Sequence, residues 1–199
     1  MATTISSGTN PYKLGSPPDF GTLYSGRALE FDGVTDYVSV ANTLDFRAAG
    51  NIPIYTISFW INPTAIANND IGIMSVGNSV TDGSAQWIVQ RDAGVLKWLN
   101  QTSTHTIGTM VAGQWSYVAI TYDGTDSKTY FDGVEASSTT ETPAHSSRFD
   151  YFFMGSGYNG YFDGNLSNVQ IWDKAWSLSD TQYAYTHPEK LITHNSAVT

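Results

Sequence analysis

An all-β fold of antiparallel strands, closed as a sandwich or barrel, is predicted by three observations. Short runs with a period of two recur along most of the chain, Asp-Gly turn signals punctuate them, and charge is scarce while aromatics are plentiful. Charged residues make up 14% of the 199 residues, against a usual fraction of about a quarter. Aromatics also reach 14%, and glycine occurs 18 times. A single domain of this length buries enough surface to need no staples. None are offered, because there is no cysteine, which excludes disulfides, thiolate metal sites and cysteine nucleophiles. A net charge of −9 argues against a nucleic-acid partner, which needs positive charge to displace counterions. No apolar run approaches the ~20 residues of a membrane span, and Met1 to Asn10 carries neither the basic start nor the apolar stretch of a secretory signal.

Residues 1–27 are polar, rich in Gly, Pro, Ser and Thr, and without period. They are expected to form an extended arm that packs on the domain's own surface or on a partner. From Ala28 the strands begin, and residues 28–199 read as one domain. Residues 36–41 (DYVSVA) alternate. Residues 54–62 alternate more cleanly, with Tyr55, Ile57, Phe59 and Ile61 on one face and Thr56, Ser58, Trp60 and Asn62 on the other. That pattern predicts a half-buried strand. Similar runs follow at 71–77, 85–91, 94–100, 115–123, 127–132, 133–138, 151–155 and 165–173.

Asp-Gly pairs begin at Asp32, Asp82, Asp123, Asp132 and Asp163. They suit tight turns because glycine lacks a Cβ and aspartate tolerates the left-handed region. Phe131-Asp132-Gly133-Val134 is the strongest hairpin signal. One short helix is expected near 177–187, capped by Ser177 with Asp180 or by Ser179 with Gln182 and ended by Pro188. A C-terminal tail follows it.

Taken in order, four blocks resemble the laminin-G-like, concanavalin-A-like jelly-roll modules. GRALEFDGVTDYV over 26–38 is similar to that family's first strand pair, and YTISFWI over 55–61 to its core strand. GQWSYVAITYDG over 113–124 with YFDG over 130–133 resembles its central hairpin. FDGNL over 162–166, through the pentraxin-like IWDKAWS over 171–177, resembles its closing strand and helix start. The resemblance covers residues 26–186 and implies a two-sheet antiparallel jelly roll with one short C-terminal helix. Where many members carry an acidic pair after the last Phe-Asp-Gly, Ser167 and Asn168 stand here.

Chemistry is sparse. Glucanases sharing this sandwich use two carboxylates about 5.5 Å apart. Glutamate occurs at Glu30, Glu135, Glu141 and Glu189, and Glu30 shares a strand face with Asp32, but Val34 and Thr35 occupy the places a third acid would take. No Gly-x-Ser-x-Gly elbow or phosphate loop occurs, and His105, His145, His187 and His194 lack metal-ligand spacing, so each reads as a polar residue on the surface. No catalytic residue is therefore assigned, and a glycoside hydrolase is the least favoured class. Calcium is the cofactor the resemblance and the aspartate-rich turns point to, with Asp32, Asp36 and Asp163 as ligands.

Aromatic residues carry the remaining chemistry. Sugars stack their C–H faces on indole and phenol rings while polar side chains bond the hydroxyls. Trp60, on the polar face of its strand, is one candidate; Trp87, Trp98 and the Tyr158-Asn159-Gly160-Tyr161 loop are others. Core packing is the competing reading of each tryptophan. Expected partners are glycans or a cell-surface protein, further copies of the chain, and other virion subunits held through residues 1–27. A virion-surface module, as in phage capsid decoration or a fibre, is the setting expected; a fragment of a secreted bacterial adhesin or carbohydrate-binding module, hence an extracellular one, is the alternative.

Overall fold

The computed structural model describes residues 28–41, 54–66, 71–77, 86–99, 103–140, 151–157 and 159–188. The arm at 1–27, the Asp82 turn, Tyr158 and the tail beyond Pro188 lie outside them. Alternating apolar residues give fourteen strands: β1 Ala28–Asp32, β2 Val38–Ala41, β3 Tyr55–Pro63, β4 Ile71–Gly77, β5 Gln86–Asp92, β6 Val95–Leu99, β7 Thr104–Thr109, β8 Ser116–Tyr122, β9 Asp126–Phe131, β10 Val134–Thr140, β11 Tyr151–Met154, β12 Ser156–Gly157, β13 Gly160–Tyr161 and β14 Asp163–Trp172. Helix α1 spans Leu178–Thr186.

The strands form two six-stranded antiparallel sheets, ordered β1-β14-β3-β8-β9-β10 and β2-β11-β4-β5-β6-β7, with a two-stranded ribbon of β12 and β13. Between the sheets lies a core that includes Phe31, Ile57, Phe59, Ile61, Val76, Leu96, Val118, Ile120, Phe152 and Phe162. Burying such side chains supplies the main driving force for folding.

The half-buried reading of β3 is corrected. Thr56, Ser58 and Trp60, its polar-face residues, have no exposed surface. A third layer covers them, made by α1 and the segment leading into it. Trp60 stacks on Tyr185 at 5.7 Å and packs on Tyr117 at 5.3 Å, within a second core that includes Tyr130, Trp176 and Ala184. The Thr56 hydroxyl donates to the carbonyl of Lys174 at 2.6 Å and accepts from the Trp176 amide at 2.9 Å, pinning that segment to the sheet.

Two candidate caps were open for the helix, and Ser177 with Asp180 forms. The Ser177 hydroxyl accepts from the Asp180 amide at 3.2 Å, and the Asp180 carboxylate accepts from the Ser177 amide at 2.9 Å. This capping box satisfies two amides that the first turn cannot.

Asp132 and Gly133 both have positive φ, 49° and 77°, the signature of a type I′ hairpin turn. The Asp132 carboxylate accepts from the Tyr117 amide at 2.7 Å. Burial pushes its carboxyl above the ordinary range, a rise only partly opposed by that bond. The nearby Tyr185 phenol is pushed up to about 12 by burial, with the Asp132 charge adding to it. An aspartate that binds its proton more tightly when folded loses stability as pH rises through the interval between its unfolded and folded values, and the loss persists above it. Asp132→Asn keeps the acceptor and the left-handed tolerance, so the variant is expected to be more stable than the parent at neutral pH. The difference should vanish on acidification, as thermal melts across pH would show.

Between β5 and β6 the same turn is built from Ala93 and Gly94, at φ 47° and 84°. Alanine in that region is strained, so Ala93→Asn is expected to stabilise by about 0.5–1 kcal/mol; an unchanged or lower melting temperature would contradict this. Asp163-Gly164, expected as a turn, instead opens β14. Strand β7 was not expected. It alternates exposed Thr104 and Thr106 with buried His105 and Ile107, and the His105 ring stacks on Trp98 at 4.7 Å. His105 is thus a core residue, contrary to the surface reading. Among the described residues no helix is long and apolar enough to cross a membrane.

Candidate functional site

The exposed chemistry collects on the outer face of the second sheet, at the β2–β11 side. In β11 the alternation of Tyr151-Phe152-Phe153-Met154 sends Phe152 into the core. Tyr151 and Phe153 therefore project to the opposite face. There Phe153 pairs with Ser39 of β2 and Ser75 of β4, and Tyr151 with Ala41 and Gly77.

Tyr37, just before β2, packs its ring edge-on against Phe153 at 6.2 Å and, tilted by 41°, against Tyr161 at 6.4 Å. Tyr151 meets Phe153 at 5.8 Å. The four rings form one continuous row, Tyr161–Tyr37–Phe153–Tyr151. Phe153 is buried at 4% exposure, whereas Tyr37 and Tyr151 are 45% and 41% exposed, so two partly exposed tyrosines pack against a buried apolar ring.

Tyr161 is held there by the β12–β13 ribbon, where Ser156 pairs with Tyr161 and Gly157 with Gly160. Gly157 sits so close to Gly72 of β4 that a Cβ would approach the Gly72 Cα at 2.9 Å. The Ser75 hydroxyl donates to the Ser156 carbonyl at 3.4 Å, fastening the ribbon to the sheet. At its tip Asn159 is exposed with φ 66°, a conformation asparagine tolerates. Phe162 follows into the core and packs on Phe31 at 6.3 Å.

An acidic turn borders this row. The Asp32 Oδ1 accepts the amides of Val34 and Thr35 at 2.8 Å and of Asp36 at 3.0 Å, and Oδ2 accepts the Thr35 hydroxyl at 3.1 Å. Those amides, Thr35 foremost, hold the Asp32 carboxyl far below the usual carboxylate range. Asp163 is the register partner of Asp32 across β1 and β14.

Of the residues singled out for ligand binding, Asn159 and Tyr161 lie at the row. Trp60 and Trp98 do not: at 0% and 1% exposure both are core residues, and a ring with no accessible face cannot stack a sugar. Trp87 falls within β5, but its side chain lies outside the described part, as does all of Tyr158. The Asp32, Asp36 and Asp163 set does not form a metal centre. Among the described residues no three His, Cys, Asp or Glu groups are placed to hold an ion, and a cation at the Asp32 Oδ1 would meet the positive ends of three amides. Tyr37, Tyr151 and Phe153 were missed; the period-two run at 151–154 was the signal that pointed to two of them.

Two packed antiparallel sheets in this strand order define a jelly-roll sandwich of the lectin and laminin-G class. Residues 32–182 match the laminin-G-type family model described as the concanavalin A-like lectin/glucanases superfamily, and the chain belongs to that family. Solved structures with a similar fold include Trypanosoma rangeli sialidase, at TM-score 0.65 and 11% identity over 82% of this chain and 28% of that one. The same sialidase in complex with sialic acid matches at TM-score 0.65 and 12% identity over 82% and 28%. The receptor binding domain of botulinum neurotoxin D matches at TM-score 0.63 and 15% identity over 81% and 44%. At these identities the likeness is one of fold, and the chain spans less than half the length of each. No curated protein matches it.

Proposed function

We propose that this domain is a non-catalytic, lectin-like module that binds glycan on the Tyr161–Tyr37–Phe153–Tyr151 row. The observation that carries the reading is the pairing of two exposed tyrosines with a buried phenylalanine beneath them. Aromatic faces take the apolar side of a sugar ring, and the phenolic hydroxyls and Asn159 reach its rim.

Tyr37→Ala and Tyr151→Ala should each weaken glycan binding by about tenfold, with a much smaller fall in melting temperature than a core substitution causes, because both rings are partly exposed. Array screening followed by titration of the best ligand checks this. A blank array for the parent protein would end the glycan reading. The setting we propose is the surface of a larger assembly such as a virion, with residues 1–27 as the anchor. Its support is compositional, in the aromatic-rich, charge-poor domain and the proline- and glycine-rich leading segment.

A further inference from the structure

We infer that the tyrosine row selects uncharged glycans and turns away chains that end in an acidic sugar. This deepens the glycan reading above and rests on it. Three aspartates neighbour the Tyr37–Tyr161 end of the row in sequence or strand register. Asp36 immediately precedes Tyr37, and Asp163 follows Tyr161 by two residues. Asp32 faces Asp163 across the strand pair, and it is tied to Asp36 by the amide bond to its Oδ1 at 3.0 Å. Nothing in the same stretches offsets that charge, since neither 28–41 nor 151–163 contains a lysine or arginine. Elsewhere Lys97 pairs with Asp92, and Lys128 lies 4.0 Å from Glu135.

The acidic border does not serve a cation cage. A cage needs space between its walls for an ammonium group, whereas Tyr37 lies in ring contact with Phe153 and Tyr161, at 6.2 and 6.4 Å. A row of mutually tilted rings offers separate phenol faces to a pyranose, and the neighbouring charge then sets which pyranose stays. Taking ~7 Å as the separation of a bound acidic group from each of the three carboxylates, the repulsion amounts to about fourfold near 0.1 M salt and about tenfold near 0.01 M.

The experiment is an array in which each neutral chain is printed beside its sialylated and sulfated forms, with titration of the best pair at both salt concentrations. The expected result is stronger binding of the neutral member, with a preference that widens as salt is lowered. In the double variant Asp36→Asn, Asp163→Asn that preference should shrink and lose most of its salt dependence. Binding of the acidic member as tight as or tighter than the neutral one overturns the selectivity and leaves the glycan reading standing. So does a preference unchanged in the double variant. A blank array for all chains overturns both.

Discussion

Trp60→Ala is expected to destabilise the domain by about 3–5 kcal/mol, the range for emptying a fully buried aromatic site. In a chain of this size that is a fall in melting temperature of roughly 6–20 °C. The indole fills the space between β3 and α1, stacked on Tyr185 and flanked by Tyr117. Its loss leaves a cavity under the helix, so amide exchange over 178–186 should accelerate more than exchange in the sheets. Trp60→Phe, which keeps much of the volume, should cost less. Loss of glycan signal with an unchanged melting temperature would instead restore Trp60 as a surface ligand.

The second large effect is expected at Gly155, which joins β11 to β12. Its φ is 80°, and a Cβ there would fall inside the ring of Phe31. Its amide donates to the Ile73 carbonyl and its carbonyl accepts from the Phe162 amide, both at 2.8 Å. Gly155→Ala therefore combines backbone strain with overpacking, about 2–4 kcal/mol in all. Gly113→Ala is the control: φ is 74°, but nothing lies within 4 Å of the added carbon, so strain alone, about 1–2 kcal/mol, should appear. Equal losses in the two variants would refute the steric account. Because Gly155 leads into the ribbon that holds Tyr161, its substitution should also lower the glycan binding proposed for the row, at temperatures where the domain is still folded.

The sandwich was legible because strands report themselves locally. Alternation at 54–62, turn residues at 132–133 and the capping pattern at 177–180 each follow from a few adjacent residues. What covered the strands was not legible. Trp60, sharing a face with Thr56, Ser58 and Asn62, has the pattern of a solvent-facing ring, and only the return of α1 from more than a hundred residues away buries it. The same limit applied to the tyrosine row. Tyr37, Tyr151 and Tyr161 lie in three separate segments, and the β2–β11 register with the docking of the ribbon on β4 brings them together. Strand β7 was missed because its sequence, THTIGT, holds one aliphatic residue and a histidine whose burial depends on the neighbouring Trp98.

The pairing of β1 with β14, from Ala28 against Ser167 to Asp32 against Asp163, ties the opening of the domain to its close. During synthesis the first sheet stays incomplete until the ribosome has released nearly the whole domain, and α1 emerges later still to seal Trp60. Such distant partners make for slow maturation, with the apolar side of β3 open to other molecules in the interval. Slow refolding, and loss of the whole fold on clipping near Trp172, are the outcomes expected from that order of events.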